Sequence, residues 1–149
     1  HVGAGQSADF VLPAVARQIA RVKLGLQAPE LLLGDVDVER DFLDVGDVLD
    51  AYLAMMESGR TGEVYNVCSG EPRNIRATVE AMLDIAQVRA TITHDVALYR
   101  PAEQKAVTAC HEKLTAHTGW RPRIAWRDTL ASLISDWSAR VPNESAAGR

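Results

Sequence analysis

The sequence predicts an α/β fold, and two observations support this. The run at residues 63–68 is rich in β-forming residues and does not alternate cleanly, which is typical of a strand buried on both faces of a parallel sheet. A turn and an amphipathic helix follow it, so this stretch makes half of a βαβ unit. The other candidate strands are few and short, and we therefore expect an incomplete sheet.

The composition is that of one ordinary folded domain. The chain has 149 residues, of which 47% are hydrophobic and 24% charged, enough for a sizeable core. A net charge of -4 gives no basic field, which argues against nucleic acid or an anionic membrane as a partner of the whole surface. No apolar run reaches transmembrane length and no signal segment opens the chain, so we expect a cytoplasmic protein.

Neither the cysteines nor the histidines show the spacing of a metal site. Cys68 and Cys110 are far apart in sequence, and the four histidines form no ligand pattern. The sequence therefore predicts two free thiols and no metal.

In the first part of the chain, the spacing predicts a helix that ends near Gly25 and a short strand at residues 30–33. The helix has its apolar residues on one face, and Pro13 places its start nearby because proline is tolerated only in the first turn. Gly34 ends the strand, and residues 35–39 form a polar connection.

A second helix is predicted from Asp44 to Gly59. Asp44 is an expected N-cap, with Asp47 three residues later. The apolar positions at helical spacing are Val45, Val48, Leu49, Tyr52, Met55 and Met56.

Arg40 stands just upstream of that capped helix, in a short strand segment. An arginine there has a planar fork and a fixed charge suited to a phosphate or pyrophosphate. The alternative is an ion pair with a neighbouring acid, Glu39 or Asp41, and spacing alone favours that alternative.

The second half of the chain alternates short elements with one long irregular segment. Asn74 is the expected cap of a helix with Ile75, Val79, Met82, Leu83 and Ala86 on its apolar face. A strand at 91–93, a helix near 112–117 and a final helix as far as 141 are predicted. Residues 95–110 show little periodicity, and such segments are often functional.

Five motifs in order resemble the extended short-chain dehydrogenases, the NAD-dependent epimerase/dehydratase family. They are His-Val-Gly-Ala-Gly-Gln at 1–6, Arg-Asp-Phe at 40–42, Val-Tyr-Asn-Val-Cys-Ser-Gly at 64–70, Arg-Pro-Ala-Glu at 100–103 and Thr-Gly-Trp-Arg-Pro at 118–122. The subgroup that the chain resembles most is the GDP-6-deoxy-D-mannose reductases, and the GDP-mannose 4,6-dehydratases come next. The resemblance covers nearly the whole chain.

This resemblance implies the C-terminal, substrate-binding part of an extended short-chain dehydrogenase of Rossmann type, lacking the N-terminal dinucleotide-binding half. The parent enzyme would use NAD(P), bound mainly by a segment absent here, to reduce GDP-4-keto-6-deoxy-D-mannose. The chain has neither a glycine-rich cofactor loop nor a Tyr-x-x-x-Lys pair. We therefore expect no catalytic or cofactor-binding residues, and no activity from the chain alone.

The same resemblance assigns four substrate-binding residues. Arg40 and Arg100 match the two arginines that bracket the diphosphate, and Glu103 matches the acid that accepts ribose hydroxyls. Val11 matches a residue beside the guanine, and a core valine at a helix start is an equally good interpretation.

Three departures from the family pattern keep other functions open. Ala4 replaces a proline, Asp35 replaces an asparagine, and Cys110 replaces an aspartate that begins a helix. The alternatives are a GDP-mannose 4,6-dehydratase, another nucleotide-sugar epimerase or dehydratase, or a non-catalytic remnant that serves as an interaction module.

The predicted organisation is a single C-terminal nucleotide-sugar-binding region at 1–141, which includes the last strand and helices of the Rossmann half, with a disordered tail at 142–149. Because the chain starts at His1 without an initiating methionine, we expect a piece of a longer protein. The uncovered apolar faces of the helices at Val45 and Ile75 would then bind the missing half or a second copy, which predicts a homo-oligomer with a contact at 45–70.

Overall fold

The computed structural model describes residues 1–98 and 104–147. The helices are α1 (Val11–Lys23), α2 (Val45–Ser58), α3 (Ile75–Ala86), α4 (Glu112–Thr118) and α5 (Trp126–Ala147). The strands are β1 (Glu30–Leu33), β2 (Glu39–Asp41), β3 (Pro72–Asn74), β4 (Thr91–His94) and β5 (Ala106–Val107), and a 3-10 turn spans Val96–Leu98.

The strands of the described residues form two small sheets. β1 and β4 pair in parallel, with Leu31 opposite Ile92. In the second sheet β2 lies between β3, which is antiparallel to it, and β5, which is parallel. Arg40 in β2 is opposite Arg73 on one side and Val107 on the other.

The strand that the sequence predicts at residues 63–68 is not formed, and that prediction is wrong for this chain. The segment has no regular structure, and Val64 within it is 80% exposed. A parallel strand needs hydrogen-bonding neighbours along its edges, and none of the described strands pairs with this one. Its β-forming composition alone cannot supply them.

The main core lies between α5, α1, α3 and the inner face of β1. Trp137 and Leu133 of α5 pack with Ile19 of α1 and Met82 of α3, and all four are buried. The predicted exposure of the apolar face at Ile75 is therefore wrong, because α5 and α1 cover it. A smaller cluster joins α2 to α4 through Leu43, Val48, Ala51, Leu114 and Trp120.

The helix starts follow the predicted caps. The Asp44 carboxylate accepts from the Gly46 N–H at 2.8 Å, and the Asn74 side chain accepts from the Ala77 N–H at 3.1 Å. Pro13 lies in the first turn of α1, as predicted. At α4 the N-cap residue is His111, which makes no side-chain cap bond.

Asp47 ties α2 to the segment before α5. Its carboxylate, only 1% exposed, accepts from the N–H groups of Arg123 at 3.0 Å and Ile124 at 3.1 Å. Its carbonyl oxygen accepts from the Trp120 indole N–H at 3.0 Å. A buried carboxylate is stable only when it is hydrogen-bonded in this way, so this residue fixes the route of the chain into α5.

The last helix passes the boundary predicted at 141. α5 contains Pro142 and continues to Ala147. The division into a folded region at 1–141 and a disordered tail at 142–149 stays a prediction.

Much of the apolar face of α2 is exposed, as predicted. Leu49 is 56% exposed, Leu53 58% and Met56 84%. Only Val48, Ala51 and the side chain of Asp47 are buried on this helix. A face of this kind is expected to bind another surface.

Side chains of α4 hold the irregular 63–68 segment. Lys113 pairs with the Glu63 carboxylate and donates to the Val64 carbonyl oxygen at 3.0 Å. The Tyr65 hydroxyl lies 2.8 Å from Nδ1 of His117 and accepts from the Arg60 N–H.

We expect the Glu63 contact to give the fold a small dependence on pH. The hydrogen bond and charge of Lys113 hold the pKa of the Glu63 carboxyl below its ordinary 4.5. Its contribution is therefore complete above pH 4.5 and disappears as the pH falls through the folded-state pKa. Urea unfolding of the wild type and of Glu63→Gln should differ slightly at neutral pH and converge in acid, because the pair is exposed. A difference that grows in acid would contradict this.

Candidate functional site

Arg40 lies in the middle strand of the second sheet, where its guanidinium is anchored by the main chain. Its Nη1 donates to the Glu39 carbonyl oxygen at 2.7 Å and to the Gln104 carbonyl oxygen at 2.8 Å. A guanidinium carries five N–H donors in a rigid plane, so two bonds from one terminal nitrogen fix the direction of the fork. The half-buried side chain is thus preorganised before any ligand binds.

The same contact brings Gln104 to Arg40, and Gln104 is the first described residue after the 100–103 segment. Gln104 directly follows Glu103, and the Lys105 carbonyl oxygen accepts from the Glu39 N–H at 2.7 Å. Arg100 and Glu103 themselves lie outside the described residues, and their geometry with Arg40 stays a prediction.

Asp41, the next residue, holds three segments together. Its carboxylate accepts from the Ser69 N–H at 2.8 Å, the Ser69 hydroxyl at 2.6 Å and the Gly70 N–H at 2.9 Å. The Thr108 hydroxyl and the Ala109 N–H approach it at 3.5 Å. Ionised acceptors make the stronger hydrogen bonds, so Asp41 fixes β2 against both neighbouring segments.

Phe42, which directly follows β2, adds an aromatic contact to this anchoring. Its ring stacks on Trp126 at 5.7 Å between centroids, and the Arg73 guanidinium lies 4.7 Å from the centre of the same indole. The Arg-Asp-Phe motif therefore places an arginine for binding and two residues that hold its strand.

Val11 is the first residue of α1, and its side chain is 40% exposed. A core valine would be more deeply buried than this. Ala14 and Gln18, one and two turns further along the same face, line a cavity of about 580 Å³ between α1 and β1. Asp95 and Leu98, just before the 100–103 segment, also border this cavity. Its size suits a small-molecule ligand.

Sequence reasoning did not find Asp41 or Gln104 as parts of this site. The sequence presents Asp41 as a member of the Arg-Asp-Phe motif and as a possible partner for Arg40, but no spacing rule predicts that residue 41 meets residues 69 and 108. A carbonyl oxygen such as that of Gln104 carries no residue-type signal at all.

The described residues offer neither a candidate metal cluster nor a candidate membrane span. No cluster of three His, Cys, Asp or Glu side chains there could hold a metal ion. No helix within the same ranges has the length and apolarity needed to cross a bilayer.

Comparison with known proteins identifies relatives for most of the chain. GDP-6-deoxy-D-mannose reductase of Pseudomonas aeruginosa is 51% identical over 144 residues, which are 97% of this chain and 47% of that protein. GDP-mannose 4,6 dehydratase 2 of Arabidopsis thaliana is 25% identical over 142 residues, covering 91% of this chain and 36% of that one. The chain thus spans about half the length, or less, of these relatives.

Solved structures of nucleotide-sugar enzymes also resemble this chain over most of its length. RMD from Pseudomonas aeruginosa, complexed with NADPH, superposes with a TM-score of 0.89 at 50% identity, covering 95% of this chain and 46% of that one. The dTDP-glucose 4,6-dehydratase of Bacillus anthracis, in complex with NAD, shares the fold with a TM-score of 0.76 at 21% identity, covering 92% and 41%. The fold-class prediction, the C-terminal part of an extended short-chain dehydrogenase, is confirmed. Residues 1–133 match the family model described as GDP-mannose 4,6 dehydratase, and the chain belongs to that family.

Proposed function

We propose that this chain is the GDP-sugar-binding portion of an NAD(P)-dependent enzyme that reduces GDP-4-keto-6-deoxy-D-mannose. The observation that carries the proposal is the anchored guanidinium of Arg40 beside Gln104. It occurs in a chain 51% identical to GDP-6-deoxy-D-mannose reductase. A fixed arginine fork is the group best suited to a diphosphate.

The proposed contacts divide among the four predicted residues. Arg40 and Arg100 would bracket the diphosphate, and Glu103 would accept the ribose hydroxyl protons. Val11 would lie beside the guanine, on the face of α1 that further along carries Ala14 and Gln18 of the cavity. The hydrogen bond from Arg40 to the residue after Glu103 supports a single site built by both segments.

The cofactor would be bound elsewhere. RMD from Pseudomonas aeruginosa was solved with NADPH, which supports a nicotinamide cofactor for the parent enzyme. When bound, that group supplies a hydride. This chain lacks the glycine-rich loop and the Tyr-x-x-x-Lys pair that would hold the cofactor and protonate the keto oxygen. We therefore assign to its residues only the binding and orientation of the nucleotide sugar.

Replacing Arg40 with alanine in the full-length enzyme should weaken GDP-mannose binding by about 1 to 3 kcal/mol, the usual value of a charged hydrogen-bond partner. Arg40→Lys keeps the charge without the planar guanidinium, so its affinity should lie between those of the wild type and Arg40→Ala. Arg76→Ala is the matched control, because it removes the same charge from another half-buried arginine, one that is paired with Asp37 outside the proposed site. Calorimetry gives each affinity, and unchanged affinity in Arg40→Ala would remove this residue from the site.

A 4,6-dehydratase is the second candidate, because the matching family model carries that description. Product analysis separates the two activities. A reductase should consume GDP-4-keto-6-deoxy-D-mannose with NAD(P)H, whereas a dehydratase should act on GDP-mannose itself. A non-catalytic remnant would do neither, and its reading frame would lack an upstream glycine-rich loop followed by Tyr-x-x-x-Lys.

We propose further that the exposed face of α2 and the 63–68 segment are covered in the working protein, either by the dinucleotide-binding half or by a second copy. The exposure of Leu53, Met56 and Val64 supports this. The cytoplasmic location stays a prediction from the sequence.

A further inference from the structure

The two segments that carry the cysteines are in contact with each other. The Asn66 side chain donates to the Cys110 carbonyl oxygen at 3.3 Å. Near the other end, the α-carbon of Gly70 faces the Ala109 carbonyl oxygen and the His111 ring. Asp41 bonds both segments, through the Gly70 N–H at 2.9 Å and the Ala109 N–H at 3.5 Å. In sequence, Cys68 lies between Asn66 and Gly70, and Cys110 lies between Ala109 and His111, so these contacts bring the two cysteines near each other.

The two thiols differ in their surroundings. Cys68 is buried and Cys110 is exposed. Burial raises the pKa of the Cys68 thiol, and the nearby charges of Asp41 and Cys110 raise it further. The thiolate is the reactive form of cysteine, so Cys110 is the side chain that an oxidant from solvent reaches first. Cys68 is then the adjacent second thiol.

We propose that Cys68 and Cys110 form a reversible disulfide when the protein meets a peroxide. The tethers at Asn66, Asp41 and Gly70 keep the two segments together and so keep the thiols at high effective concentration. This assignment does not require a GDP-sugar to bind, although Asp41 belongs both to the candidate site and to these tethers.

The chemistry proceeds in two steps. The Cys110 thiolate attacks one peroxide oxygen, the O–O bond breaks, and hydroxide leaves, giving a sulfenic acid on Cys110. Cys68 then attacks the Cys110 sulfur, the S–S bond forms, and the S–O bond breaks with loss of water, which takes up the Cys68 proton. The two thiols together lose two electrons, and hydrogen peroxide is reduced to two waters.

The disulfide would join the end of the irregular 63–68 segment to the start of α4. That start has no side-chain cap, and the existing links there are side-chain contacts such as Lys113 with Glu63. A covalent link restricts the unfolded chain. We therefore expect oxidation to raise the melting temperature, and dithiothreitol to reverse the rise.

The test is peptide mapping of the 149-residue chain after treatment with hydrogen peroxide and alkylation of the remaining thiols. Trypsin should release residues 61–73 linked to residues 106–113, lighter than the sum of the two peptides by two hydrogens. Cys110→Ser should abolish the linked peptide and leave Cys68 open to alkylation after unfolding. Cys68→Ala should leave Cys110 as a sulfenic acid or a higher oxide.

Two results would overturn the proposal. One is an oxidised protein in which Cys110 carries a sulfenic or sulfinic acid while Cys68 is still alkylated. The other is a disulfide found only between two chains, seen as a dimer on a non-reducing gel that survives in Cys68→Ala. The exposed Cys110→Ser variant keeps the core intact, so its loss of the linked peptide cannot be attributed to misfolding.

Discussion

Replacing Asp47 with alanine should lower the free energy of unfolding by about 2 to 4 kcal/mol. The change removes a buried acceptor from two N–H groups, those of Arg123 and Ile124. The Asp47 carboxylate is itself buried, and hydrogen bonds to an ionised group are worth more than neutral ones. α5 also supplies much of the main core, so the loss should extend beyond the local contact.

Urea unfolding of the 149-residue chain measures the effect. Asp50→Ala is the matched control, because it removes the same side chain from an exposed position of the same helix. It should change stability by less than about 0.5 kcal/mol. Asp47→Asn keeps the shape of the side chain but only one acceptor oxygen, so its free energy of unfolding should lie between those of Asp47→Ala and Asp50→Ala. Equal stability of Asp47→Ala and Asp50→Ala would show that the bonds to Arg123 and Ile124 do not hold this segment.

The local elements of this fold could be predicted because their signals are local. Asp44 and Asn74 cap their helices within one turn, and Pro13 restricts the start of α1 by its own ring. The bounds of β1 at Glu30 and Leu33 agree with the position of Gly34. These interactions join residues close in sequence, so residue type and spacing are sufficient to identify them.

The prediction of a strand at 63–68 is wrong because a strand depends on partners that are not local in sequence. Its residues favour β structure, but a strand also needs hydrogen bonds to neighbouring strands, which are often distant in sequence. None of the described strands forms such bonds with residues 63–68. The face of α3 at Ile75 is a second case. Its apolar pattern is clear, but whether α5 would cover it could not be read from spacing.

The candidate site could likewise be predicted from the sequence only in part. The position of Arg40 in a strand upstream of a helix N-terminus follows from the sequence and agrees with β2 and α2. The bond from its guanidinium to Gln104 joins residues 64 apart. The Asp41 carboxylate likewise reaches Ser69 and Gly70 through tertiary structure. Such contacts depend on how the sheet assembles.

The exposed face of α2 should make the isolated chain self-associate. Leu49, Leu53 and Met56 project from one side of this helix, and Val64 adds to the uncovered apolar surface. Single exposed apolar residues are common on proteins, but a contiguous group tends to be buried by association. We expect a dimer or a larger assembly whose contact includes residues 45 to 70.

Light scattering at micromolar concentration should therefore give a mass above the 16.2 kDa of one chain. The double variant Leu53→Glu with Met56→Glu should shift the protein towards monomer, because each carboxylate would have to be desolvated in the contact. Leu24→Glu is the control, since Leu24 is 48% exposed and lies just after α1, outside the proposed contact. A monodisperse wild type of 16.2 kDa with a cooperative melt would show that the chain closes its own core without a partner on α2.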